Sequence, residues 1–165
     1  MTRTPEQKIM SLEQAAAWRR RLRRRQRKLV VTNGCFDILH RGHASYLARA
    51  RAAGGALLVA VNCDAAVRQL KGPGRPVNSE TDRTYLLAAL EAVDAVVLYD
   101  TLTATPLLQA LKPDVYVKGG DYDLETMCQE ERVELEAMQV RILFLPFVEG
   151  LSSTKLLRRL GRQAK

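Results

Sequence analysis

Short apolar runs alternate with stretches of helical periodicity along the chain. Helical segments with caps or stop signals lie at 44–53, 79–90, 103–111, 126–138 and 153–160. The apolar, β-branched runs between them predict five buried strands, at 29–32, 56–62, 94–99, 115–117 and 140–145. Buried strands separated by helices are typical of a parallel sheet covered on both faces. The pattern therefore predicts an α/β, Rossmann-like fold with five parallel strands.

Phosphate-compatible residues follow four of these strands. In a parallel α/β sheet, ligands bind at the carboxyl ends of the strands, near a switch in strand order. We therefore expect one site built from four loops. Its candidate residues are Asn33, Gly34, Cys35, Phe36, Asp37, His40, Gly42 and His43 after the first strand, Lys71 and Arg75 after the second, Lys118, Gly119, Gly120 and Asp121 after the fourth, and Ser152, Ser153 and Thr154 after the fifth.

Most of the positive charge is confined to one segment. The chain has 165 residues, a size typical of one domain, and a formal net charge of +8. Eight basic residues lie within 19–28; without them, 18 of the 26 basic residues remain and balance the 18 acidic ones. Ser11 and Gln14 predict a capped helix that carries this stripe. Two interpretations stay open: a solvated helix face, or weak binding to RNA or anionic headgroups, although only Trp18 could stack on bases.

Several classes of protein are disfavoured. No apolar stretch approaches the roughly 20 residues that span a bilayer, and the first residues lack the apolar core of a signal peptide. Three cysteines without a CxxC pair indicate reduced thiols, so we expect a cytoplasmic protein without a structural metal. The dinucleotide fingerprint, the P-loop and the nucleophile elbow are absent.

The two histidines of the chain, His40 and His43, lie three residues apart at the start of a predicted helix. Unpaired N–H groups at a helix N-terminus attract phosphate, and imidazole can supply a proton or charge near neutral pH. The pair therefore indicates a phosphate site. Two surface histidines that cap a helix are the alternative.

The segment Gly-Cys-Phe-Asp-Ile-Leu-His-Arg-Gly-His, residues 34–43, resembles the GxFDxxHxGH signature of the cytidylyltransferase-like nucleotidyltransferases. Leu70-Lys71-Gly72 with Arg75-Pro76-Val77-Asn78, and Lys118-Gly119-Gly120-Asp121-Tyr122, resemble the D-glycero-β-D-manno-heptose 1-phosphate adenylyltransferases within that family. The similarity runs from about residue 11 to 160. Together with the basic helix, it leads us to expect a basic N-terminal helical extension over 1–28 and a nucleotidyltransferase domain of the HxGH type over 29–165.

The resemblance implies transfer of AMP from ATP to heptose 1-phosphate, with release of pyrophosphate, for lipopolysaccharide inner-core synthesis. His40, His43 and Lys71 would be the catalytic residues, which stabilise phosphate charge without a covalent intermediate. Asn33, Gly34, Cys35, Phe36 and Gly42, with Ser152, Ser153 and Thr154, would bind the nucleotide. Arg75, Lys118, Gly119, Gly120 and Asp121 would bind the sugar phosphate. Mg²⁺ would be held largely by ATP and water.

Alternatives stay open for several residues. Lys71 is otherwise an ordinary exposed lysine, and 152–154 a plain helix cap. Asp37 would orient its loop. Arg75 and Arg83 would either bind the sugar phosphate or be surface charges. Asp121 would either bind hydroxyl groups of the sugar or ribose, or not contact the substrate. A nucleophilic Cys35 is disfavoured, since a lone buried cysteine is usually a small core residue.

At the level of the whole protein, the segment 128–132 lacks the glycine usual in the resembled branch, which leaves the acceptor open. The resemblance also implies a homodimer and a separate heptose kinase upstream. The rival functions are another HxGH nucleotidyltransferase, of the CDP-glycerol type, and a non-catalytic nucleotide- or RNA-binding regulator.

Overall fold

A computed structural model describes residues 3–120, 122–146, 152–154, 156–157 and 159. Its strands are β1 (Ile9–Met10), β2 (Leu29–Gly34), β3 (Ala56–Asn62), β4 (Ala95–Tyr99), β5 (Val115–Gly119) and β6 (Arg141–Leu145). Its helices are α1 (Pro5–Lys8), α2 (Leu12–Arg24), α3 (Arg41–Ala52), α4 (Asp64–Lys71), α5 (Glu80–Ala89), α6 (Thr105–Leu111) and α7 (Gln129–Ala137). Near the end of the chain, residues 153, 154, 156, 157 and 159 are helical.

The strands form one parallel sheet in the order β1-β4-β3-β2-β5-β6. The α/β, Rossmann-like class is confirmed, and β2 to β6 are the five predicted strands. The sheet has a sixth strand at its edge, because Ile9 and Met10 pair with Val96 and Val97 of β4. Two residues are too short to show a period of two, so the hydrophobic pattern could not reveal this strand.

Alternate residues of the central strands face two separate cores, as a pleated strand covered on both sides requires. Leu29 and Val31 of β2 pack in the cluster that includes Ala15 and Leu22 of α2 and Leu108 of α6. Val30 packs in the other cluster, which includes residues of α3 and α5. The strand order reverses direction at β2, since β3 and β4 lie to one side and β5 and β6 to the other. A crevice is expected at that point, between β2 and β5.

The basic stripe lies on α2 and the residues that follow it. The predicted capping box is present, because Ser11 Oγ accepts from the N–H of Gln14 and the Gln14 side chain accepts from the N–H of Ser11. Seven of the eight basic residues are exposed. Arg19 is the exception to a solvated face: it is 4% exposed, donates to both carboxylate oxygens of Asp114 at 2.7 and 2.9 Å, and donates to the carbonyls of Leu111 and Lys112.

The first 28 residues contribute a strand to the common sheet and Ala15 and Leu22 to a common core. The proposed domain boundary after residue 28 stays a prediction. Among the described residues, no helix combines the length and apolar character needed to cross a bilayer.

Candidate active site

A cavity of about 480 Å³ opens at the carboxyl ends of β2, β3, β4 and β5. Its volume falls within the roughly 300–1,000 Å³ usual for small-molecule sites. Fourteen of the sixteen residues predicted to bind or act on substrate line it: Asn33, Gly34, Cys35, Phe36, His40, Gly42, His43, Lys71, Arg75, Lys118, Gly119, Ser152, Ser153 and Thr154. Gly120 does not line this cavity, and Asp121 lies outside the described residues.

His40 and His43 lie side by side at the start of α3. His40 is the N-cap, and its Nδ1 accepts a hydrogen bond from the N–H of Gly42 at 3.1 Å. The two rings stack with centroids 3.9 Å apart, and the His43 ring also meets Phe36 edge to face. The N-cap interaction fixes the His40 ring, which in turn holds His43 against it.

Burial determines the charge of this pair. Desolvation, aided by repulsion from His40, lowers the pKa of His43 to about 4, and desolvation also lowers the pKa of His40. His43 is therefore neutral at pH 7, and its Nδ1 is buried without a hydrogen-bond partner among the described residues. A neutral imidazole beside a helix N-terminus donates one hydrogen bond to an anion, and a bound phosphate would favour its protonation.

The backbone between β2 and α3 comes close to the cavity. A Cβ added to Gly34 would lie 3.1 Å from the Phe36 ring, so the position suits a residue without a side chain. Phe36 itself has a φ of 47°, in the left-handed region that bulky residues rarely adopt. Such strain is typical of functional sites, where the surrounding contacts impose it.

Asp37 connects two loops of the site. Its Oδ1 accepts from the N–H groups of Val77 and Asn78 at 2.7 and 3.1 Å, and its Oδ2 pairs with Arg75 Nε at 3.0 Å. The carboxylate thus ties the segment after β2 to the loop between α4 and α5, and it holds Arg75 at the cavity wall. These contacts match the expected orienting role of Asp37.

Lys71 ends α4 and is exposed at the cavity. No acidic side chain of the described residues lies within ion-pair distance of it, whereas Arg75 and Lys118 are both paired. The charge of Lys71 also acts on the thiol of Cys35. Burial raises the pKa of this cysteine, and the positive charge of Lys71 opposes that rise. A thiol with a raised pKa is a poor nucleophile, which agrees with a lining role for Cys35.

Lys118 and Glu131 form a buried ion pair under the cavity. Lys118 Nζ donates to Glu131 Oε2 at 3.1 Å, to Asn33 Oδ1 at 2.7 Å and to the Tyr116 hydroxyl at 3.0 Å. Glu131 also accepts from Asn33 Nδ2 at 3.0 Å and from the N–H of Ala104 at 2.9 Å. All three donors of the ammonium are therefore used within the protein.

The charge of Glu131 is stabilised by the same partners. Burial raises the pKa of this carboxyl, but Lys118, the Ala104 N–H and the Tyr116 hydroxyl together outweigh burial and bring the pKa below its usual 4.5. Because Glu131 is only 2% exposed, removal of the Lys118 charge would leave a buried carboxylate uncompensated.

Arg83 is neither a surface charge nor free to bind a sugar phosphate. It is fully buried and donates to the carbonyls of Cys35, Asn62 and Asn78 and to the Asp64 carboxylate. Its guanidinium holds together the ends of β2 and β3 and the start of α5, so its role is structural.

The serine-rich segment closes one side of the cavity. Ser153 Oγ donates to the carbonyl of Ile38 at 3.1 Å, and the N–H of Leu156 donates to the carbonyl of Ser152 at 3.0 Å. The second bond forms a helical turn that opens at Ser152. The hydroxyls thus stand next to the segment that leads to the histidine pair.

Several cavity residues escaped the sequence analysis, chiefly Glu131, Tyr99 and Leu102. Glu131 precedes the buried Leu135 by four residues, which places both on the inward face of α7. That spacing could have indicated that Glu131 is buried, but acidic side chains are almost always expected to be exposed to solvent.

The described residues contain no group of three or more His, Cys, Asp or Glu side chains that could hold a metal ion. The cavity carboxylates of Asp37 and Glu131 are both occupied by cations and N–H donors.

Comparison with known proteins places this geometry in a family. The bifunctional protein HldE of Alcanivorax borkumensis is 50% identical over 133 residues, which cover 81% of this chain and 28% of that protein. The same-named protein of Koribacter versatilis is 48% identical over 90% of this chain and 29% of its own length. The chain thus spans less than a third of the length of these curated relatives.

A solved structure shows the same architecture. The crystal structure of the lipopolysaccharide core biosynthesis protein from Thermoplasma volcanium matches 74% of this chain and 97% of its own with a TM-score of 0.60 and 25% identity. The family model described as cytidylyltransferase-like matches residues 31–159, which include the histidine pair, Lys71, Lys118 and the serine-rich segment. With this match over most of its length, the chain belongs to the cytidylyltransferase-like family.

Proposed function

We propose that this protein transfers AMP from ATP to D-glycero-β-D-manno-heptose 1-phosphate, forming ADP-heptose and pyrophosphate for the lipopolysaccharide inner core. One observation carries the proposal: a single cavity gathers the histidine pair, Lys71, Arg75 and the 152–154 hydroxyls, all suited to phosphate groups. The similarity to HldE proteins and to a lipopolysaccharide core biosynthesis protein supports the choice of sugar.

In this reaction a phosphate oxygen of the sugar attacks the α-phosphorus of ATP in line, and pyrophosphate leaves. No covalent enzyme intermediate forms, so the protein must align the groups and stabilise the developing charge. His40 and His43 would donate hydrogen bonds to the β- and α-phosphates. Mg²⁺ would enter as part of the substrate MgATP.

Lys71 would neutralise the transferring or attacking phosphate, since it ends a helix beside a glycine-rich loop and has no acidic partner among the described residues. Arg75 would bind the sugar phosphate from the same loop. The hydroxyls of Ser152, Ser153 and Thr154 would bind the triphosphate tail.

The carboxyl end of β2 would accommodate the nucleotide, because Gly34 allows close backbone approach and Asn33 is held by Glu131. Lys118, with Gly119, would act on the sugar phosphate through its positive charge, since its three donors are already used. Gly120 and Asp121 stay candidates for the same substrate.

Pyrophosphate release, measured with each nucleoside triphosphate against a panel of sugar and polyol phosphates, tests the proposal. We expect turnover with ATP and heptose 1-phosphate alone. Turnover confined to CTP and glycerol 3-phosphate would contradict the heptose assignment. No turnover, together with salt-sensitive RNA binding that disappears when residues 1–28 are removed, would instead indicate a regulator.

The proposal includes three statements about context. The protein would act in the cytoplasm, would form a homodimer, and would depend on a separate kinase for its heptose 1-phosphate. Sedimentation of the purified protein over a range of concentrations tests the second statement.

A further inference from the structure

A second cavity lies at the amino ends of the strands, opposite the active site at their carboxyl ends. It has a volume of about 570 Å³ and is bordered by the first residues of β5 and β6, Val115 and Arg141, and by Lys28 just before β2. It therefore opens at the amino ends of the strands. We call it the basic cleft and define it by Arg19, Arg23, Lys28, Lys112, Asp114 and Arg141.

The charges around the basic cleft do not balance. In the part of the chain that the structure describes, five cationic side chains and one carboxylate line it. Both oxygens of that carboxylate, Asp114, are taken by Arg19, and one also accepts from the N–H of Leu29 at 2.6 Å. Among the described residues, no acidic side chain lies within 4 Å of the cationic groups of Lys28, Lys112 or Arg141.

The carboxyl end of α6 holds two of the arginines of the basic cleft in place. Arg19 donates to the carbonyls of Leu111 and Lys112, and Arg23 also donates to the carbonyl of Lys112 at 3.2 Å. Both guanidinium groups are thus oriented by unpaired carbonyls of a helix C-terminus. Lys112 itself caps α6 in the left-handed conformation, with a φ of 44°.

Concave placement strengthens the combined field of these cations. Charges of one sign around a low-dielectric concavity focus the potential there and raise the local concentration of counter-ions. Outside residues 19–28 the acidic and basic residues balance, so the effect is local. Four cations that are not neutralised suit a ligand with several negative charges.

The types of residue that line the basic cleft favour a small phosphorylated anion over nucleic acid. None of the described residues that line the basic cleft is aromatic, so they offer no surface on which nucleic-acid bases could stack. Its volume is that of a small-molecule site. Lysine and arginine are the usual partners of phosphate groups.

We propose that the basic cleft is a second binding site, separate from the active cavity, for a compact anion that carries two or more linked phosphate groups. Its ligand class includes inorganic polyphosphates and the phosphate chains of small molecules. The site does not depend on the reaction proposed for the active cavity.

Titration of the ¹⁵N-labelled full chain with inorganic tripolyphosphate tests this site by NMR. The amides of Asp114 and Gln139 report on the basic cleft, and those of Gly42 and His43 report on the active cavity, so each site yields its own Kd. We expect saturable shifts at Asp114 and Gln139. Shifts confined to the active cavity would overturn the proposal.

Two variants with equal loss of charge distinguish a site from a diffuse attraction. Lys28→Gln with Lys112→Asn and Arg141→Gln removes three cleft charges, and Arg20→Gln with Arg24→Gln and Arg25→Gln removes three charges from α2 and the residue after it, outside the cleft. At about 0.15 M salt, screening over roughly 8 Å limits distant charges. We expect the Kd at the cleft to rise at least tenfold in the first variant and less than twofold in the second.

Equal weakening in both variants, or no weakening in the first, would overturn the proposal. Thermal unfolding of each variant shows whether the fold is retained. Among the described residues, the side chains of Lys28, Lys112 and Arg141 make no hydrogen bond or ion pair, so their replacement should leave the fold intact. A single-stranded RNA of twelve nucleotides serves as the competing ligand. RNA that shifts the cleft amides while tripolyphosphate leaves them unchanged would assign the surface to nucleic acid and overturn the proposal.

Discussion

At the scale of single residues, His43 combines burial with a place in the cavity for which we propose nucleotide binding. We predict that His43→Ala lowers kcat for pyrophosphate release by at least about 100-fold, because one charge-stabilising donor is worth that much in a transition state. The melting temperature should change little, since the ring packs at the edge of the core. Turnover close to that of the unchanged protein would contradict the phosphate role.

The buried ion pair of Glu131 with Lys118 allows a prediction about stability. Glu131→Gln keeps the size of the side chain but leaves the Lys118 ammonium without its counter-charge. We expect the free energy of unfolding at pH 7 to fall by about 3 kcal/mol. Glu130→Gln is the matched control: Glu130 is exposed and accepts a hydrogen bond from the Thr103 hydroxyl, so its loss should cost less than about 0.5 kcal/mol.

The same pair predicts a dependence on pH. The pKa of Glu131 lies below its usual 4.5, so this carboxylate stabilises the fold above that value, and the stabilisation is lost as the pH falls through the lowered pKa. Between pH 5 and the acid limit, stability should therefore decrease less steeply in Glu131→Gln than in the unchanged protein. Urea unfolding at a series of pH values measures this, and parallel curves would contradict it.

At the scale of elements, α2 is attached to the sheet through one charged residue as well as through Ala15 and Leu22. Arg19→Ala removes a guanidinium that satisfies Asp114 and two carbonyls of the α6 terminus. We expect a loss of about 3 kcal/mol in the free energy of unfolding, measured by chemical denaturation. Arg20→Ala, one position along the same helix but exposed, should change it by less than about 0.5 kcal/mol. Equal effects would contradict this attachment.

The strands and the cavity loops could be predicted from the sequence, but the buried arginines could not. Continuous apolar runs identified β2 to β5, because strands buried on both faces need apolar side chains at most positions. The apolar residues after Arg141 also identified β6, although none of its residues is buried. The loops of the cavity were found because polar residues follow those strands. By contrast, Arg19 and Arg83 resemble their exposed neighbours in sequence, and only the positions of Asp114, Asp64 and the backbone carbonyls show that they are buried.

At the scale of the whole molecule, the first 28 residues and the rest share one sheet and one core. We predict that a chain of residues 29–165 is markedly less stable than the full chain or aggregates, because it lacks β1, Ala15, Leu22 and the partner of Asp114. Calorimetry of both chains measures the difference. Equal melting temperatures would support a separable domain that begins at residue 29.

The order of the strands determines when the site can form during synthesis. As the nascent chain leaves the ribosome, β2, β3 and β4 can pair once residue 99 has emerged, and only then does β1 find its partner. The other edge of β2 stays open until Val115 and Tyr116 are made. The active cavity lies across that late junction, so a chain that stops before Val115 would hold four of the six strands, leave one side of β2 open and lack the β5 wall of the cavity.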